Sequence, residues 1–182
     1  ALVKGGSDLI FIETIFDTLN CKAALMALYE LEKKLNKKIP LMLSVTITDL
    51  SGRTLSGQTL EAFYLSIKHS NPVSVGLNCA LGPKELESYV VELSKISKFY
   101  VSVHPNAGLP NAFGEYDESA ESLASYAKNW GENGYLNIIG GCCGTTPEHI
   151  KAMKKITSNL KPRIPNIAKQ RFELSGLEKF TF

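Results

Sequence analysis

Long apolar runs are missing from this chain: nowhere in its 182 residues do about 18 consecutive apolar side chains occur, as a membrane-spanning helix requires. The first residues, Ala1-Leu2-Val3-Lys4-Gly5-Gly6, lack the apolar core of a secretory signal, so the expected compartment is the cytoplasm, with no membrane partner. With 44% hydrophobic and 21% charged residues the composition also excludes a disordered, collagenous or repeat-fibre chain. Cysteine is scarce. Cys21, Cys79, Cys142 and Cys143 are too few to staple a chain of this length, and the adjacency of the last two disfavours a bridge between them. Reduced thiols that react or hold a metal are the better reading. Basic residues are not interleaved with aromatics, so no nucleic acid is expected to bind.

Net charge is small, +2, but unevenly placed. Residues 1–150 carry 12 basic and 16 acidic side chains, whereas residues 151–182 carry 8 and 2. The tail basic residues Lys151, Lys154, Lys155, Lys161, Arg163, Lys169 and Arg171 read as a solvated face and linker.

Apolar runs of strand length recur at Asp8–Thr14, Pro40–Ile47, Pro72–Asn78, Phe99–Val103 and Leu136–Ile139. They lack strict alternation and so read as strands buried on both faces. Helical periodicity fills the gaps, over Thr18–Leu35, Thr59–Lys68, Pro83–Ile96, Glu118–Trp130 and Pro147–Leu160. Five βα repeats demand a parallel sheet with right-handed crossovers, either an open doubly wound sheet or part of an eight-unit barrel. The first six residues resemble the last turn of a helix with its glycine cap, as if the chain opens inside a unit. Beyond residue 160 periodicity is lost, and residues 161–182 read as a linker or an extension towards another domain.

Parallel α/β folds place ligands at the carboxyl ends of their strands. Those ends carry Glu13; Thr46, Thr48 and Asp49; Asn78 and Cys79; His104 and Asn106; and Cys142 and Cys143 within Gly140–Thr145. Three thiols on one rim point to a tetrahedral thiolate metal site with a position left for substrate, with buried structural cysteines or a redox pair as alternatives. Cys21 falls within a helix and reads as an unreactive buried side chain. Glu13 follows four apolar residues and would be costly to bury unpartnered, which favours a functional role over a structural ion pair. His104 reads as a satisfied rim histidine rather than a ligand or base. The Gly/Pro/Asn-rich segment from Pro105 to Tyr116 is a candidate binding loop, and Ser51–Ser56 is a polar loop without a phosphate-binding glycine signature.

Four segments in order, Glu13-Thr14, GLNCALGP from Gly76 to Pro83, HPNAG from His104 to Gly108 and GGCCGTTP from Gly140 to Pro147, resemble the homocysteine-binding domain of cobalamin-dependent methionine synthase. The loops SGRTLSGQT and GLPNAFGEYD are similar to that enzyme in particular. The tail residues Leu174–Glu178 resemble the start of the folate-binding domain that follows it. The resemblance implies an α/β parallel (βα)8 TIM barrel of which the last five units are present in residues 1–160, with 161–182 leading to the folate domain.

It also implies zinc ligated by Cys79, Cys142 and Cys143. Glu13 would contact the amino group of homocysteine, and Asn106 would lie near the metal, filling its open position when substrate is absent. Homocysteine would then take a methyl group from methylcobalamin carried by another domain of the same polypeptide, giving methionine, and the cobalamin would be remethylated from methyltetrahydrofolate. Two other readings stay open: a stand-alone homocysteine methyltransferase with a sulfonium or betaine donor, and a non-catalytic zinc-binding barrel fragment with exposed edge strands. The 182-residue chain alone is expected to be inactive in methyl transfer and prone to aggregate.

Overall fold

The computed structural model describes residues 1–167 and 172–182. Five parallel strands alternate with five helices: β1 Ile10–Ile15, α1 Thr18–Leu35, β2 Leu41–Val45, α2 Leu60–Ile67, β3 Ser74–Asn78, α3 Pro83–Ile96, β4 Tyr100–His104, α4 Ala120–Glu132, β5 Ile138–Ile139 and α5 Pro147–Thr157. Sheet order follows chain order, β1-β2-β3-β4-β5. A doubly wound sheet needs a point where the order reverses. None exists here, so every crossover winds the same way and consecutive helices pack side by side on one face.

Local signals set the helix limits. Asp17 caps α1 by accepting from the Asn20 amide, and Asn36 ends it in the left-handed conformation at φ 48°. Pro83 opens α3, where its missing N–H loses no hydrogen bond. Residues 1–7 form a helix-ending turn. The Ser7 and Gly6 amides donate to the Leu2 and Val3 carbonyls, and Gly6 takes φ +97°.

Strands β3 and β4 alternate in side-chain chemistry while being buried on both faces over most of their length, as expected. Leu43, Val75 and Val101 stand in register, as do Val45, Leu77 and Val103, and these aliphatics meet the helices. The opposite face carries Ser44, Gly76 and Ser102 in one register row. Both faces are nonetheless buried in β3, because the sheet curves around its small-residue face. Strands β1 and β4 are three spacings apart, about 14 Å in a flat sheet. Yet the rings of Phe11 and His104 meet at 5.5 Å, which only curvature permits. Gly76 is required at the crowded row, since a Cβ there would collide with the Ser102 backbone and hydroxyl.

The tail departs from a solvated connector. Arg163 is 4% exposed, and its guanidinium donates to the carbonyls of Ser94, Ser97 and Phe99 at 2.5–3.0 Å, closing the end of α3. Residues Glu173–Ser175 (β6) and Lys179–Thr181 (β7) form an antiparallel hairpin. The hairpin lies on α2 through Lys68–Glu173, Lys179–Glu61 and a Ser175 hydroxyl bond to the Ala62 carbonyl. It also reaches the loop after β2, where the Leu177 carbonyl accepts from the Thr59 amide and Glu178 pairs with Arg53. Lys169 and Arg171 lie outside the described residues. No helix among the described residues is long and apolar enough to cross a membrane.

Candidate metal and substrate site

The ends of β3 and β5 bring three thiols together. The Sγ atoms of Cys79, Cys142 and Cys143 lie within 4.8 Å of one another, and those of Cys79 and Cys143 are 3.6 Å apart. The backbone makes this possible. Cys79 and Ala80 take φ 63° and 59°, turning the chain sharply out of β3, and Gly144 takes φ 77° beyond the cysteine pair. A Cβ on Gly144 would collide with the Tyr116 ring, so this glycine serves both its turn and a close approach.

Loop amides then pin the arrangement. The Cys79 amide donates to the His104 carbonyl, Cys142 to Pro105, and Ala107 to Cys143, at 2.8–3.2 Å. Asn106, 2% exposed, accepts from the Cys143 amide through Oδ1 at 3.1 Å. His149 is buried in the first turn of α5, where its Nδ1 meets Thr146 and its Nε2 meets the Glu118 carbonyl. That bond ties the cysteine loop's helix to the end of the 105–118 loop.

Burial and then the charge of Cys79 push the Cys142 thiol up to about 12. Crowded thiols resist ionisation unless a cation balances them, and a divalent ion would do so. Tetrahedral zinc–thiolate bonds of about 2.3 Å require sulfurs about 3.8 Å apart, close to the observed spacing. An all-sulfur donor set in a partly exposed rim fits zinc with one position left for an exogenous ligand. Cys21 stands apart, 2% exposed in α1, its thiol pushed up to about 11 by burial.

Glu13 reaches the same rim from β1, but it is exposed rather than buried. Its Oε2 accepts from Asn78 Nδ2 at 3.2 Å and from the Thr14 hydroxyl at 3.3 Å. None of the ion pairs among the described residues includes it. The four apolar residues before Glu13, Leu9 to Ile12, are likewise only partly covered. His104 sits between the two sides. Burial lowers its pKa, with the Glu13 charge opposing, and its Nδ1 has no partner among the described residues, unlike a satisfied rim histidine. Gly140 makes room for that ring, since a Cβ there would stand 2.5 Å from His104 Cδ2.

Two residues of the site were given no individual role by the sequence. Tyr116 closes the 105–116 loop beside the thiols, its phenol pKa raised by desolvation and then by Cys143. Asn78 was visible only as a strand-end polar residue. A cleft of about 850 Å³ between α1 and the starts of β2 and β3 lies at the amino ends of the strands, away from this chemistry.

A parallel α/β sheet with three thiols gathered at its carboxyl rim defines an α/β domain whose cysteines could hold a metal ion. Residues 1–157 match the homocysteine S-methyltransferase family, and the chain belongs to it. The homocysteine methyltransferase MmuM from Escherichia coli is similar in structure. Its oxidised form superposes with a TM-score of 0.65 at 24% identity, covering 85% of this chain and 47% of that one. The apo and metallated forms each give 0.64 at 25% identity, covering 85% of this chain and 52% and 46% of theirs. This chain thus spans about half the length of those structures, and its five-stranded sheet corresponds to part of their barrel.

Proposed function

We propose that this chain is the second part of the homocysteine-binding (βα)8 barrel of a cobalamin-dependent methionine synthase, with β1–β5 as the last five barrel strands. The convergence of Cys79, Cys142 and Cys143 carries this reading. In it, residues 1–160 belong to the barrel and 161–182 connect to a folate-binding domain, in a cytoplasmic enzyme. Two segments that resemble methionine synthase support it by packing on each other: the hairpin bonds to Gln58, Thr59 and Arg53 of the SGRTLSGQT loop.

Cys79, Cys142 and Cys143 would hold zinc. Bound there, zinc lowers the pKa of the homocysteine thiol, ordinarily about 8.5 for a thiol, so that its sulfur is anionic at neutral pH. The chain's own groups do the rest. Three anionic cysteine sulfurs keep the centre electron-rich, so the substrate sulfur remains nucleophilic. Glu13 receives the substrate ammonium, and its exposure leaves room for that group. Asn106 accepts from the Cys143 amide through Oδ1; in this reading it would lie near the metal and give way when substrate binds. Methylcobalamin carried by another domain would supply the methyl group that homocysteine takes to become methionine.

The test uses the intact zinc-loaded protein with homocysteine and either methylcobalamin or a methylsulfonium donor. Methionine formed from methylcobalamin, with the cob(I)alamin absorption spectrum appearing, is the expected result. Turnover with the sulfonium alone would assign the chain to the stand-alone homocysteine methyltransferases instead.

A further inference from the structure

We infer that Asn78 is the positioning residue that sets Glu13 for its substrate, linking the carboxylate side of the site to the thiol side. This inference rests on Glu13 receiving the amino group of homocysteine. Asn78 is 1% exposed at the end of β3, in register with His104. Its carboxamide uses both ends. Oδ1 accepts from the Thr14 amide at 3.0 Å, and Nδ2 donates to Glu13 Oε2 at 3.2 Å and to the Thr14 hydroxyl at 2.9 Å. Its main-chain carbonyl accepts from the Thr46 hydroxyl at 3.0 Å, which fixes the backbone from the β2 side.

The directionality of these bonds makes asparagine specific. Thr14 takes the left-handed conformation at φ 54°, where a threonine is strained, and the sheet register breaks between Ile12 and Ile15. The Thr14 amide therefore leaves the ladder and points at Asn78, which compensates it. An acceptor is needed for that amide and a donor for the Glu13 carboxylate, less than a residue apart. A carboxamide supplies both at once, one from each end. A carboxylate at 78 would face the Glu13 carboxylate, and an aliphatic residue would orphan the Thr14 amide. Since Cys79 follows directly, one residue sets the distance between the ammonium receptor and the first thiol. That distance decides which amino-acid thiols span the site.

The experiment is a double-mutant cycle in the intact zinc-loaded protein, with homocysteine affinity read by titration calorimetry and zinc by elemental analysis. Asn78→Asp should weaken homocysteine about tenfold or more while zinc stays bound. Glu13→Gln alone should also weaken it. In the Glu13→Gln, Asn78→Asp protein the amide now donates from position 13 to a carboxylate at 78. The second change should then have little further effect, so the two are strongly non-additive. Additive losses, or an unchanged affinity in Asn78→Asp, overturn the inference. No loss in Glu13→Gln overturns the reading of Glu13 instead. If Asn78→Asp does not fold, Thr14→Ala decides: it removes the hydroxyl that both partners share, and an affinity within twofold of the parent refutes the linkage.

Discussion

The thiol side and the carboxylate side of the site are built from opposite kinds of structure. Cys79, Cys142 and Cys143 sit on loops laced to one another by main-chain bonds from Cys79, Cys142, Cys143 and Ala107, beneath fully buried strand β3. Glu13 sits on the edge strand β1, partly open to solvent, and is held by a single buried carboxamide and its own neighbour. The adjoining helices repeat the contrast. The inner face of α3 is wholly covered at Leu86, Val90 and Leu93, whereas α1 leaves Leu19, Met26 and Tyr29 exposed. A metal site needs rigid ligands whose geometry is fixed before the ion arrives. A substrate receptor needs room beside it, and Glu13 is exposed at the rim.

Disrupting the rigid side should have the largest effect. Cys142→Ala should lower zinc from about one per chain to under about a tenth, because two thiols do not complete a site; elemental analysis checks it, and methyl transfer should disappear with the metal. Gly76→Ala tests the scaffold beneath. The added methyl meets the Ser102 backbone, which cannot swing away, so a loss of about 3 kcal/mol in unfolding free energy is expected from denaturant titration.

The open side should respond more mildly and separately. Glu13→Gln should weaken homocysteine about tenfold with zinc retained, since a bond between opposite charges becomes a neutral one. Loss of zinc in that protein would mean that the two sides are not independent. The smallest effect concerns Cys21, away from both. Its thiol is raised from about 9.0 to about 11 by burial, so the folded state holds its proton longer than the unfolded one. The stability this contributes is fully present below pH 9 and is lost as pH rises through 11. Melting curves from pH 8 to 11 should fall less steeply in Cys21→Ala than in the parent.

The repeating βα pattern and the rim thiols were legible because period and strand-end position are local properties. Helices α1 and α3 begin and end where capping residues and periodicity place them. What escaped was non-local. The choice between a doubly wound and a barrel-type sheet depends on strand order, which no local signal encodes. Arg163 looked like one more tail cation, yet it is buried because the α3 carbonyls it satisfies lie 64 to 69 residues away. The β6–β7 hairpin, short and without strong alternation, owes its place to contacts with α2 and the loop after β2. Glu13 looked costly to bury behind its apolar predecessors, yet it is exposed and held by Asn78 and Thr14, partners that strand-end position alone does not reveal. Asn78 looked like any polar strand end until its two-sided bonding to Glu13 and Thr14 was visible.

The most direct test of the thiol centre is zinc X-ray absorption on the intact protein, with and without homocysteine. A zinc ion bound through the sulfurs of Cys79, Cys142 and Cys143, with one more sulfur in its shell once homocysteine is added, is the predicted result. A shell of nitrogen and oxygen donors, or a sulfur count that homocysteine leaves unchanged, would contradict it.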